Sequence, residues 1–140
     1  MASLSIDPVS AGIYTLLNVA ALTALATGGI SDDPAQQTTF PFVWYEVAES
    51  ADVRGFGTGG LPEIDLRVHV FSTYEGMREA QVIGQQVIAL LKDQAVTVSG
   101  YTHCGHVFYD RTVPLPDEML NGVKCHELVS FFRLYVEETA

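Results

Sequence analysis

Residues 63–91 read EIDLRVHVFSTYEGMREAQVIGQQVIALL. The first nine alternate, with Ile64, Leu66, Val68 and Val70 on one side and Asp65, Arg67 and His69 on the other. That is the period of a strand with one buried face. Met77, Ala80, Ile83, Gly84, Val87, Ile88 and Leu91 then recur at steps of three and four, the period of a helix. At the join, Ser72 and Glu75 have the spacing of a capping box, in which each side chain bonds the other's backbone N–H. They therefore read as a helix start rather than as catalytic groups. Gly84 lowers helix propensity by about 1 kcal/mol relative to Ala, and it lets the helix lie close on a sheet.

Upstream, a first helix is expected from Asp7 as N-cap with Pro8 at the first helical position. Asn18 is expected to break it and cap a short second helix, which Gly28 or Gly29 ends. A polar loop with Asp32-Asp33-Pro34 follows. Residues 40–49, FPFVWYEVAE, are dense in aromatic and β-branched residues and predict a strand. Phe42, Trp44 and Glu46 share one face, and Val43, Tyr45 and Val47 the other. Both faces are largely apolar, so one is expected in the core and the other against a partner. Residues 54–60, RGFGTGG, hold four glycines. A strand follows them, not the helix of a dinucleotide fingerprint, so they read as a hairpin tip that orders against a partner.

Downstream, 95–100 (AVTVSG) and 106–114 (HVFYDRTVP) read as strands, and 114–125 (PLPDEMLNGVKC) as a loop. Residues 126–138 close the chain with a long alternating strand. Leu128, Ser130, Phe132, Leu134 and Val136 are expected on its core face, with Val129, Phe131, Arg133 and Tyr135 opposite. The order predicts a single α+β domain over residues 1–140: a mixed, mainly antiparallel sheet of four to five strands with helices packed on one face.

The chain has 140 residues, 48% of them hydrophobic, and a formal net charge of −10. No apolar run reaches the ~20 residues of a membrane span. The first residues carry no basic side chain ahead of an apolar run, which argues against a secretory signal. Arg54, Arg67, Arg78, Lys92, Arg111, Lys124 and Arg133 are scattered, unlike the basic patch of a protein that grips nucleic acid. His103, Cys104 and His106, with Cys125 and His126, are the candidate metal ligands. Their spacing is that of no known zinc motif, and His103 and His106 fall on opposite faces of a regular strand. A Cys–His nucleophile pair would need an oxyanion site, and no motif marks one. The expectation is no catalytic residue, no cofactor and no required metal.

Several of these segments resemble the tail-completion (tail terminator, tail-to-head joining) proteins of long-tailed phages and phage-like particles such as gene transfer agents. The resemblance runs through the helix at 12–27, the Gly28-Gly29-Ile30 loop, the acidic turn Asp32-Asp33-Pro34 and the strand Pro41-Phe42-Val43-Trp44-Tyr45. It continues through the strand and helix at 64–91 and the closing FFRLYVEE at 131–138. It implies a structural virion protein at the head-proximal end of a tail, assembled in the host cytoplasm. It implies a homo-oligomeric ring, usually a hexamer, that caps the tail tube, meets the head connector and lets DNA pass. The partners so implied are the major tail tube protein and the connector, with no membrane. No catalytic residue is implied. The contact residues expected for such a ring are Arg54, Phe56 and Gly57 at the hairpin tip, and Phe42, Val43, Trp44 and Tyr45 on the first strand. The rival readings are another neck or minor tail subunit, and a small His/Cys metal-binding or enzymatic domain.

Overall fold

The computed structural model describes residues 6–33, 39–54, 60–120 and 122–138. The elements in chain order are α1 (Ile6–Leu17), α2 (Ala20–Thr23), β1 (Ile30–Ser31), β2 (Phe42–Arg54), β3 (Gly60–Ser72), α3 (Arg78–Leu91), β4 (Tyr101–Leu120) and β5 (Val123–Glu138). The strands form one sheet in the order β1-β2-β3-β5-β4. Among the described residues only β1–β2 is parallel. The other three pairings are antiparallel, so this is the mixed α+β sheet that the sequence predicts.

The period-two residues decide which face is covered. Ile64, Leu66, Val68 and Val70 of β3 are buried, as are Leu128, Phe132, Leu134 and Val136 of β5. Val9, Ile13 and Leu17 of α1, Leu22 of α2, and Ala80, Ile83, Val87 and Leu91 of α3 close over them in one core. Ser130 is the polar member of that face. Its hydroxyl lies 2.9 Å from that of Thr112, which lies 2.6 Å from the Tyr109 hydroxyl, so the buried group is satisfied. A Cβ on Gly84 would stand 2.9 Å from Leu128 Cδ2, so this glycine does let α3 lie close on the sheet.

Several local expectations are corrected. Ser72 ends β3 and does not cap α3. Its hydroxyl donates to Glu79 Oε1 at 2.7 Å and accepts from the Tyr74 N–H at 3.1 Å. The helix starts later, after Met77, with no side-chain cap, and Glu75 is exposed. The hydroxyl is used by a turn and by the next acidic residue along, so the Ser-x-x-Glu spacing marks no box here. At the N-terminus α1 already includes Asp7, and α2 is capped by Val19 in extended backbone with no side-chain bond, not by Asn18.

The loop after α2 contains β1. It is held by Gly28 N–H to Pro41 C=O at 2.8 Å and Val43 N–H to Gly29 C=O at 3.0 Å. A Cβ on Gly28 would fall 1.8 Å from Thr39 O, so only glycine permits this approach. Residues 95–100 form no extended strand, although Val96 and Val98 are buried in the core. The expected loop at 114–125 instead contains the outer half of β4 and the start of β5. Pro114 and Pro116 are tolerated because β4 is the sheet's edge, where one side of the strand needs no partner.

Candidate assembly surface

The three helices lie on one face of the sheet. Among the described residues no element covers the other face. Its side chains are the odd set of β3 and β5 with their neighbours: Trp44, Glu46, Arg67, His69, Glu127, Val129, Phe131 and Arg133. At one end Phe42, Phe71 and Cys125 form a second, small buried cluster, with Phe40 and Trp44 packed on it. At the other, Asp65, Arg67, Asp110, Phe131 and Arg133 line a shallow cavity of about 270 Å³. The Arg111 guanidinium sits 4.7 Å above the Phe131 ring, a cation–π contact that clothes an otherwise wet aromatic.

Between these ends lies a charged network. His69 is 8% exposed. Its ring stacks on Trp44 at 4.2 Å between centroids, and its Nδ1 bonds the Glu127 carboxylate. Nε2 has no hydrogen-bond partner and stands 3.7 Å from Glu46 Oε2, while Glu46 Oε1 lies 2.9 Å from Arg67 Nη1. Burial pushes the Glu127 carboxyl up, but bonds from His69 and Glu118 outweigh it, and its pKa is lowered. Glu118 moves the other way: its bond to Glu127, followed by burial, raises it, so Glu118 is the partner that keeps a proton longer. Trp44 is fixed by an indole N–H to Asp32 C=O bond of 3.1 Å.

The sequence-predicted contact residues divide. Val43 and Tyr45 point into the main core and Phe42 into the small cluster, while Trp44 stays half-exposed on the uncovered face. The tip residues Phe56 and Gly57 lie outside the described residues. Arg54 pairs in register with Gly60 at the mouth of that hairpin. The network around His69 has no local signature, because its closest pair is separated by 58 positions. The alternation of β3 places His69 on the outer face but cannot show what it meets.

The two His/Cys segments do not converge. Cys104 is opposite Tyr135 and Cys125 opposite Glu118, at far ends of the β4–β5 hairpin. Burial, then the charges of Glu118, Glu127 and Asp117, push the Cys125 thiol up to about 11. It is neither a thiolate nucleophile nor a ready metal ligand at neutral pH. His126, its neighbour in sequence, faces the other way and bonds Asp117 at 2.6 Å.

A surface built of rings and ion pairs is suited to contact. The profile of one family, tail completion protein gp17, matches residues 13–121, from within α1 to the end of β4. The chain belongs to this family. The tail-completion proteins are structural proteins of phage tails, and the chain is a tail protein of that kind. Among solved structures it is similar to a chain in the virion of a native gene transfer agent particle, with a TM-score of 0.72 and 20% identity. That match covers 96% of this chain and 99% of the other. A second solved chain has a TM-score of 0.62 at 15% identity, covering 99% of each. These likenesses are likenesses of fold. No curated protein sequence matches.

Proposed function

We propose that this tail-completion protein forms a homo-oligomeric ring, most simply a hexamer, at the head-proximal end of the tail. The ring closes the tail tube, meets the head connector and lets DNA pass. The observation that carries this reading is the family match over residues 13–121, and the fold shared with a chain of a gene transfer agent virion supports it. The sheet face without a helical layer supplies area for contact with the tube protein or the connector. Trp44, Arg54 and the hairpin tip with Phe56 and Gly57 are the contacts proposed from the first strand and its turn.

The charge fits such a passage. Each chain carries −10, and six copies carry six times that. An acidic bore repels DNA phosphates and lets the duplex slide. The same charge opposes closure of the ring in the free state, where salt screens it over a Debye length of ~8 Å at physiological ionic strength. Assembly is therefore promoted by salt and by contact with the tube. Cryo-electron microscopy of the assembled particle tests this. The expected result is a ring of this chain at the tail's head-proximal end with acidic residues towards the bore. A different position, or a basic bore clamped on DNA, overturns it.

A further inference from the structure

A closed ring needs two different patches on each chain, one for each neighbour. Two exposed apolar features stand on opposite flanks of this molecule. The first is a groove of about 290 Å³ between α2 and the start of α3, lined by Ala24, Leu25, Tyr74, Arg78, Val82 and Ile83. Its apolar walls are open: Tyr74 is 57% exposed, Val82 44% and Leu25 37%. The second is the tip of the β4–β5 hairpin. The last register pair of β3 with β5 is Ser72↔His126, while β5 begins at Val123 and pairs on with Glu118, Met119 and Leu120. Cys125 stays buried against Phe42 and Phe71, so two residues, Lys124 and Val123, run past the sheet, about 7 Å at ~3.3 Å each. Met119, 66% exposed, and Val123, 43% exposed, sit on this projection.

The two features lie at the same end of the sheet. Tyr74 follows the end of β3, from which the hairpin projects. The groove is on the α2 side of α3. The hairpin belongs to the other side, where Gly84 and Ile88 face Tyr109 and Pro114 of β4. Met119 is opposite Lys124, on the helix side of the sheet, so it leans towards the layer that holds a neighbour's groove. Their charges are complementary as well. The groove's rim carries Arg78, which has no ion pair among the described residues, and Glu79. The hairpin carries Asp117 and Lys124, 3.8 Å apart. One docked orientation sets Arg78 by Asp117 and Glu79 by Lys124.

We propose that the hairpin tip of one copy, led by Met119, docks in the α2–α3 groove of the next copy, and that repetition of this head-to-tail contact closes the ring. The inference rests on the ring reading above. Its test uses assembled particles carrying Val82→Cys together with Met119→Cys, treated with a short bis-maleimide linker, which tolerates geometry that a disulfide does not. The expected result is a ladder of covalent multiples of this chain reaching the ring's full number, absent from either single variant. A product that stops at the dimer, a cross-link to a different protein, or no product while microscopy shows the ring intact each overturns the docking and leaves the ring standing. A particle with no ring of this chain overturns the ring reading and the docking with it. Met119→Asp supplies a second measurement. Met119 is mostly exposed, so the free variant should keep the wild-type melting curve and enter particles at least tenfold less well. Incorporation at the wild-type level overturns the docking.

Discussion

Two glycines on two helices allow the packing to be tested with the same substitution. A Cβ added at Gly12 of α1 would lie 2.5 Å from Thr97 O and 2.6 Å from Val96 Cγ1. The oxygen belongs to the backbone and cannot step aside, so α1 or residues 96–97 must shift. Overpacking of this sort costs about 1–3 kcal/mol, and a backbone obstacle belongs in the upper part of that range. Ala gains up to ~1 kcal/mol over Gly in helix propensity. The net loss for Gly12→Ala is roughly 1–2 kcal/mol. At about 3–5 °C per kcal/mol for a chain of this size, Tm falls by roughly 3–10 °C. At Gly84 the obstacle is Leu128 Cδ2 at 2.9 Å, the far end of a flexible side chain. Moving it off its rotamer costs about 0.5–1.5 kcal/mol, close to what propensity returns, so Gly84→Ala should melt within a few degrees of wild type. Thermal unfolding followed by circular dichroism, at one concentration and salt, reads both. If Gly12→Ala melts at or above wild type, or Gly84→Ala falls further than Gly12→Ala, then α1 does not rest on residues 96–97 as described.

Ile83→Asp puts a carboxylate into the core at a position 1% exposed, and it should abolish the cooperative melting transition; a wild-type curve would refute the assigned helix face. The Glu127 carboxyl is lowered in the fold, so its stabilisation is present above the ordinary Glu value of about 4.3 and is lost as pH falls through the lower folded value. Glu127→Gln should therefore melt below wild type at neutral pH, with a gap that narrows in acid, and a gap that widens in acid would contradict the network. Glu118 is shifted upward, so Glu118→Gln keeps a donor without the charge and should melt no lower than wild type at neutral pH. A chelator should leave Tm unchanged, because the two His/Cys segments sit at opposite ends of a hairpin; a loss of many degrees with one bound zinc per chain would overturn this.

The sequence was most readable where one periodicity ran long against one core. The alternation at 64–70 and 128–136 and the helical spacing at 80–91 reported the buried face directly, because a single shift of register would have exposed all of it. Residues 42–47 are apolar on both sides, and the two sides pack into two separate clusters, with Trp44 left half-exposed. What failed was position in the sheet. Pro114 and Pro116 mark a loop if β4 is central and a strand if it is the edge, and nothing local tells the two apart. Ser72 was misread because Glu75 and Glu79 both follow it, and only packing selects Glu79. The His69–Glu127 pair was invisible because strand pairing, not sequence proximity, brings it together.

The edge that hid those prolines also constrains how the sheet can meet another chain. β4 is a long strand at the rim of the sheet, and a smooth edge of that length would invite indiscriminate pairing with any other chain. It is blunted along its course. Its register with β5 shifts between Cys104 and Phe108, between Tyr109 and Arg111, and between Leu115 and Glu118. At its inner half Val107 exchanges backbone bonds of 3.0 Å with Asp93 and Gln94, which cover the rim there. Its outer half carries the two prolines. At the opposite rim, β1 covers Val43 and Trp44 of β2. Strand addition through β4 is thus obstructed by bulges, prolines and a covering segment. Association there must run through side-chain surfaces, whose charge and shape discriminate between partners in a way that a bare ladder of amides does not. In the assembly proposed above, a subunit that joins a few specific neighbours and avoids other β-rich proteins is served by this division: a blunted β4 rim, with contact left to the uncovered face, the groove and the hairpin tip.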